Sequence, residues 1–150
     1  MVVEHNGIWT VPLSATHQPY QVTQLKRELP NHSDYQVVVV DTVKFVECLE
    51  RGTPSLVVAE VGAWKEEKRE AIRALLDPST GAPYMARASI RLELQKRWFG
   101  MRKPIQVAVI SFTNGRHRTR YLQWAGAACI PIETHRTSAE LLELYCACTC

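Results

Sequence analysis

A short polar run in the second half of the chain contains the residue types that most directly indicate ligand binding. It begins with Asn114 and Gly115, a pair typical of a tight turn, and continues with cationic and titratable side chains. The Asn side chain can cap free backbone N–H groups at a helix start, and Gly lets a ligand approach the backbone closely. Open N–H groups and the helix dipole favour an anion at such a position. The residues predicted to bind a phosphate or a nucleotide are therefore Asn114, Gly115, Arg116, His117, Arg118 and Thr119.

The sequence on either side of this run predicts the elements that position it. Apolar residues 105–110 indicate a strand, and residues 116–125 have helical periodicity. The predicted helix buries a face formed by Tyr121, Leu122, Trp124 and Ala125. Arg118 falls on that face one turn earlier, while Arg116 and Arg120 lie opposite. A half-buried guanidinium needs an anionic partner, either a carboxylate of the protein or a phosphate of a ligand.

The same unit continues to a second strand and resembles a known motif. Gly126 ends the predicted helix, and residues 129–132 return as a strand. Residues 111–133 resemble the phosphate-binding motif of the ParB/sulfiredoxin-like fold, with Gly before an Arg-rich helix start, a small-Gly-small end and an Ile-Pro-Ile strand. Within that fold the chain is most similar to the plasmid fertility inhibition factors, small proteins that block conjugative transfer of another replicon. The resemblance implies an α+β fold, a single compact domain with a mixed sheet and a strand–turn–helix anion cradle.

A second candidate site is the loop that precedes residue 105. The alternating residues 84–94 predict a long strand before it, with one buried and one solvated face. The loop interleaves cations with aromatic side chains, a combination that suits the phosphates and bases of nucleic acid. A hairpin tip with its aromatic side chains packed under the sheet is the alternative. The residues predicted to contact nucleic acid are Lys96, Arg97, Trp98, Arg102 and Lys103.

The remaining segments predict structure more than chemistry. Residues 37–40 indicate a buried strand ending at Asp41, which caps a short helix, and residues 64–76 indicate an amphipathic helix whose charges carry no assigned function. Thr137 and Glu140 have the spacing of a capping box that opens a last helix. Residues 8–13 and 20–25 look like strands. We therefore divide the chain into residues 1–35, an N-terminal extension that would form a hairpin, and residues 36–150, the ParB/sulfiredoxin-like domain.

The overall composition describes an ordinary globular chain. With 150 residues, 46% of them hydrophobic, the chain fits one domain with a substantial core. The net charge of +3 permits an acidic or nucleic-acid partner without requiring one. We expect a cytoplasmic protein without membrane insertion, because no signal peptide or apolar stretch of spanning length is present. The five cysteines are expected to be reduced, and no metal site is predicted.

Two classes of function remain open at this point. The first is an inhibitor of conjugation that binds a type IV secretion or coupling protein, or the transferred DNA. The second is a phosphohydrolase or nuclease that binds ATP or another nucleotide together with Mg²⁺. Its activity would be that of an NTPase or of a DNase. Such an enzyme needs a carboxylate beside the cradle, and its catalytic residues are unknown. The acidic residues that the sequence offers are Asp41, Glu47, Glu60, Glu133 and Glu140.

Overall fold

Four strands precede the first helix in the computed structural model, which describes residues 1–52, 58–95 and 103–148. The strands are β1 (Val3–His5), β2 (Ile8–Pro12), β3 (Val22–Lys26), β4 (Tyr35–Asp41), β5 (Ala86–Gln95), β6 (Ile105–Asn114) and β7 (Cys129–His135). The helices are α1 (Thr42–Glu50), α2 (Glu66–Leu76), α3 (Arg116–Trp124) and α4 (Arg136–Cys146). Short 3-10 turns occur at Val61–Ala63 and Pro78–Thr80.

The strands form two sheets. β1, β2 and β3 make an antiparallel sheet, and the second sheet has the order β4-β7-β5-β6. In the second sheet the outer pairs β4–β7 and β5–β6 are antiparallel, whereas β5 and β7 run parallel at the centre. The chain is therefore a single α+β domain with a mixed sheet, as predicted. The last strand in the sequence, β7, occupies a central position.

The β5–β6 hairpin supplies the platform for the predicted site. The buried side chains of Ala86, Ala88 and Ile90 follow the alternation predicted for β5. Met85, which interrupts that alternation, lies before the strand, and its backbone N–H donates to the Lys26 carbonyl at 2.8 Å. Leu94, predicted to be buried, is 71% exposed. The reason is that β5 pairs with β7 only at its beginning, so its far end projects beyond the centre of the sheet.

Two helix starts illustrate one correct and one wrong capping prediction. The Asp41 carboxylate accepts a hydrogen bond from the Lys44 backbone N–H at 3.0 Å and caps α1, as predicted. The predicted capping box at Thr137 is wrong, because β7 leads directly into α4 and the helix begins at Arg136. The His135 side chain caps α4 instead and accepts from the Thr137 backbone N–H at 3.3 Å.

Both sheets contribute to the same hydrophobic core. Val11, Leu13 and Leu25 from the N-terminal segment belong to the same buried cluster as Phe45 and Tyr121. Polar contacts add to this attachment. The Ser14 hydroxyl donates to the Gly126 carbonyl at 2.9 Å, just after the end of α3. The division of the chain at residue 35 stays a prediction.

The cysteines differ from the expectation of free thiols. Cys129 and Cys148 form a disulfide with their Cα atoms 6.0 Å apart. They meet because β4 pairs with the start of β7 and also, through Val40, with Ala147. The reduced state predicted for this pair is therefore wrong, while Cys48 and Cys146 are free and buried. None of the helices in the described residues is both long and apolar enough to cross a membrane.

Candidate anion-binding site

The predicted strand, turn and helix are present, and Gly115 is the residue that joins them. β6 ends at Asn114, Gly115 has a left-handed backbone with φ of 81°, and α3 begins at Arg116. A Cβ atom at residue 115 would lie 2.6 Å from the Cα of Ala86. This position therefore excludes every side chain, both by its backbone conformation and by the closeness of β5.

The start of α3 has no side-chain cap. The prediction that Asn114 caps the helix is wrong, because its side chain is used between strands. Its Oδ1 accepts from the Arg87 backbone N–H at 2.9 Å, and its Nδ2 donates to Glu28. The first N–H groups of a helix have no acceptor within the helix. The first amides of α3 are therefore available to an external anion, which the helix dipole favours.

A cleft of about 510 Å³ opens at this helix start. One wall is apolar and is formed by Leu49 of α1, by Ile72 and Leu75 of α2, and by Ile110 and Phe112 of β6. The polar end brings together most of the residues predicted to bind phosphate: Asn114, Gly115, Arg116, His117 and Arg118. Thr119 is not in the lining. It is buried, and its hydroxyl donates back to the Gly115 carbonyl at 3.1 Å.

Arg118 is partly buried, as its position on the helix predicted. Its guanidinium donates to the Tyr84 carbonyl. Burial lowers the pKa of Arg118 from its usual value, and the negative charge of Glu28 partly opposes this change. Glu28 itself forms an ion pair with Arg87 at 3.2 Å and accepts from Asn114. The carboxylate that acts on Arg118 is thus that of Glu28 in the N-terminal segment, which no local sequence pattern indicates.

His117 faces a group of residues from α2 and the segment before it. Its ring lies 5.6 Å from the Trp64 ring in an edge-on arrangement, and the Lys68 ammonium lies 4.6 Å from the same indole. Burial lowers the pKa of His117, and the positive charges of Lys68 and Arg116 lower it further. Lys68 is one of the α2 charges to which the sequence assigns no function, because nothing local indicates its approach to α3.

Arg120 was predicted to lie on the solvated face of α3, and this prediction is wrong. It is only 7% exposed, and its guanidinium donates to Glu50 at 2.6 Å and to Gln123 at 3.0 Å. The physical reason is that α1 and the turn Val61–Ala63 pack against this side of α3. Arg120 and Glu50 line a second cleft of about 550 Å³, which lies away from the first amides of α3.

The acidic residues named from the sequence have other positions. Asp41 caps α1, and Glu133 is buried in an ion pair with Arg27 at 2.9 Å. Glu47 and Glu60 line the second cleft, and Glu140 is exposed on α4. Among the described lining residues of the first cleft there is no carboxylate. Within residues 1–52, 58–95 and 103–148, no group of three or more potential ligands is arranged to hold a metal ion.

The predicted nucleic-acid loop lies mostly outside the described residues. This applies to Lys96, Arg97, Trp98 and Arg102. Lys103 is described and is exposed just before β6. The role of this loop stays a prediction.

Comparisons with known proteins connect the chain to a family. Residues 37–147 match a family model described as plasmid fertility inhibition factor. The structure is similar to a crystal structure of Oncogenic Suppression Activity Protein, a plasmid fertility inhibition factor, in its gold(I) cyanide derivative. That match has a TM-score of 0.71 and 17% sequence identity, and it covers 98% of this chain and 74% of that chain. At this identity it shows a shared fold. No curated protein matches the sequence.

Proposed function

This chain belongs to the plasmid fertility inhibition factor family, and we propose that it blocks conjugative DNA transfer by binding. Its target is a component of the transfer machinery, of the type IV secretion or coupling class, or the transferred DNA itself. In this proposal the cleft at the start of α3 takes the phosphate of a nucleotide or of DNA. The ParB/sulfiredoxin-like identity of the fold remains part of the proposal.

The observation that carries this function is the composition of the cleft around an uncapped helix start. Its polar end offers free backbone amides together with Arg116, His117 and Arg118. Its apolar wall includes Leu49, Ile72 and other large side chains that can contact a base. Phosphate would bind at the amides, where the helix dipole and the guanidinium groups favour an anion. A base or another flat apolar group would lie against the wall.

Binding without turnover is favoured by the absence of carboxylates in the described lining of the cleft. Mg²⁺ prefers oxygen ligands, usually one or two carboxylates together with the substrate phosphates. Glu28, whose charge acts on Arg118, is already engaged by Arg87 and Asn114. The described residues of the cleft therefore do not fit a Mg²⁺ ion.

The alternative function is a nucleotide phosphohydrolase or nuclease. One observation favours it: Glu28 lies beside Asn114 and its charge acts on Arg118. If a ligand drew this carboxylate away from Arg87, Glu28 could take a proton from a water molecule that attacks the phosphorus atom, and the P–O bond to the leaving group would break. The experiments below separate this alternative from inhibition by binding.

The first experiment tests the cradle by calorimetric titration with ATP, CTP and a short oligonucleotide. Arg118→Ala should weaken the binding of the preferred ligand more than tenfold, because one charge-assisted contact contributes about 1.5–3 kcal/mol. Arg136→Ala is the matched control, since Arg136 is exposed at the start of α4 and away from the cleft. If none of these ligands binds, or if both variants behave alike, the cradle does not have this function.

The second experiment measures conjugative transfer from donor cells that express the protein at graded levels. A binding inhibitor should act in proportion to its amount, and Arg118→Ala should lose the inhibition at equal expression. If trace expression suffices and Glu28→Gln abolishes inhibition while ligand binding persists, turnover replaces binding as the explanation. If several unrelated conjugative plasmids are unaffected at high expression, the proposed role in transfer is wrong.

A further inference from the structure

The second cleft, of about 550 Å³, lies between α1, the turn Val61–Ala63 and the second half of α3. Its described lining shares no residue with that of the cleft at the start of α3. Each helix presents one face to it, because the lining residues are three or four positions apart. Those of α1 include Val43, Glu47 and Glu50, and those of α3 are Arg120, Gln123 and Trp124.

The described lining of the second cleft is negatively charged, although the whole chain has a net charge of +3. It contains the carboxylates of Glu47, Glu50 and Glu60 and the guanidinium of Arg120. Glu50 pairs with Arg120 at 2.6 Å, whereas Glu47 and Glu60 are exposed and form no ion pair in the part of the chain that the structure describes. These carboxylates attract a cation and repel the phosphates of nucleic acid.

Arg120 gives a second, independent indication of a ligand. Its side chain is only 7% exposed, and two of its nitrogens donate to Glu50 and Gln123. Its Nε–H is buried as well and has no acceptor among the described residues. A buried donor without a partner costs free energy, which an acceptor brought by a ligand recovers. A ligand suited to this cleft therefore carries a hydrogen-bond acceptor, such as a carbonyl oxygen, beside its positive charge.

The apolar part of the lining favours a particular cation. Val43 is 57% exposed, and the partly buried indole of Trp124 is held by ring contacts with His17 at 3.9 Å and Tyr121 at 5.3 Å. A guanidinium group can lie on an aromatic or apolar surface while it pairs with carboxylates. A lysine ammonium lacks the planar shape that makes two parallel hydrogen bonds to one carboxylate. An arginine side chain fits the second cleft better than a lysine side chain does.

We propose that the second cleft binds an arginine side chain within a basic peptide segment of a partner protein. The guanidinium pairs with Glu47 and Glu60 and lies against Trp124. A backbone carbonyl of the same segment accepts from the Nε–H of Arg120. The inference rests on the proposed function in one respect, that the partner is a protein of the transfer machinery. It does not depend on phosphate binding at the start of α3.

The experiment measures fluorescence anisotropy of a labelled peptide of alternating Ala and Arg residues. The parent should bind this peptide about threefold or more tightly than the matching Lys peptide. A matching Glu peptide should not bind. Agmatine, which has the guanidinium but no carbonyl group, should bind about tenfold more weakly than the Arg peptide. Because the protein has a net positive charge, general attraction does not explain binding of a cationic peptide.

Charge-removing variants locate the peptide on the protein. Glu47→Gln combined with Glu60→Gln keeps the shape of the cleft and should weaken peptide binding about tenfold, because charge-assisted contacts are lost. Glu140→Gln is the matched control, since it neutralises an exposed carboxylate on α4 outside the described lining. Its affinity should stay within about twofold of the parent. NMR signals of the Val43 methyl groups and of the Trp124 indole should shift as the peptide is added.

Several results would overturn the inference. These are no binding of the Arg peptide, equal binding of the Arg and Glu peptides, or equal effects of the double variant and of Glu140→Gln. Agmatine that binds as tightly as the peptide would also overturn it, because the cleft would then be a site for small cations. Unchanged Val43 and Trp124 signals would place the peptide elsewhere. In each case the phosphate titrations and the transfer assay still decide the proposed function separately.

Discussion

At the scale of single residues, the site depends most strongly on the backbone conformation of Gly115. We predict that Gly115→Ala destabilises the protein by roughly 3 kcal/mol or more, since left-handed backbone strain alone costs on the order of 1–3 kcal/mol. The added Cβ would also lie 2.6 Å from the Cα of Ala86 on β5. Urea unfolding followed by circular dichroism measures this loss.

Gly7→Ala separates strain from steric contact. Gly7 has a similar φ of 77°, but a Cβ at that position would meet nothing within 4 Å. We expect it to cost about 1 kcal/mol, the strain without the clash. If the two variants lose equal stability, the closeness of β5 to the turn does not matter, and the close approach at Gly115 does not shape the cradle.

The second residue-scale prediction concerns His117 and pH. Burial and the charges of Lys68 and Arg116 lower the pKa of His117 below its usual 6.5, so this side chain is mainly neutral at pH 7. A bound phosphate favours the protonated imidazole and raises that pKa, so binding takes up a proton. The affinity for a phosphate ligand should therefore strengthen as pH falls from 7.5 toward 6.

Two measurements check this pH dependence. NMR titration of the His117 ring should give a pKa below 6.5 without ligand and a higher pKa with ligand. The phosphate of the ligand also titrates near pH 6, so His117→Gln is needed as a control for that contribution. If the affinity of His117→Gln has the same pH dependence as that of the parent, His117 does not take up the proton.

At the scale of secondary-structure elements, the contact between Arg120 and Glu50 joins α3 to α1. We predict that Glu50→Ala destabilises the fold by about 1–3 kcal/mol, because a buried guanidinium then lacks its carboxylate. The lower part of this range is favoured since Glu50 is itself half-exposed. Glu47→Ala, an exposed position on the same helix, should change the free energy of unfolding by less than about 0.5 kcal/mol. Equal losses in urea unfolding would contradict this role of the pair.

Local patterns were sufficient to predict several elements of the site. The apolar periodicity of α3 correctly placed Tyr121 and Leu122 in the core, and Gly126 correctly ended the helix with a φ of 81°. The same pattern correctly predicted that the Arg118 side chain is partly buried. These features depend on residues within one or two helical turns, and the sequence displays such residues directly.

Other parts of the site depend on contacts between distant segments, and no local pattern contains them. Asn114 is a residue type that often caps helices, but its side chain forms hydrogen bonds to Glu28 and to the backbone of β5 instead. The helical pattern places Arg120 on the solvated face, but Glu50 of α1 contacts its guanidinium in the folded protein. Lys68 gained its position from Trp64 and from the approach of α2 to α3. Predicting these contacts requires the topology, which periodicity alone does not give.

At the scale of the whole molecule, the N-terminal sheet is part of the stability of the domain. We predict that removal of residues 1–26 leaves a chain that is largely unfolded at 37 °C. The loss includes the burial of Val11, Leu13 and Leu25, and each such side chain contributes roughly 1.5–3 kcal/mol. Their sum is comparable to the typical total stability of a domain, about 5–15 kcal/mol.

Circular dichroism and urea unfolding of the shortened chain measure this effect. Removal of residues 1–7 is the milder control, because β1 lies at the outer edge of its sheet and its side chains are exposed. A shortened chain of residues 27–150 with a cooperative transition like that of the parent would show that residues 36–150 can form a domain without the extension.

The central position of β7 has a consequence for how this protein is made. Within the part of the chain that the structure describes, the strand that pairs with β4 is β7, residues 129–135, and a single further bridge joins Val40 to Ala147. During synthesis the β5–β6 hairpin can form as soon as residue 114 has left the ribosome, but the mixed sheet stays incomplete until residue 135 has emerged. Ribosome-bound chains stalled before residue 129 should therefore be digested rapidly by protease, whereas released full-length chains should resist. Completion of the mixed sheet during synthesis thus depends on the emergence of β7.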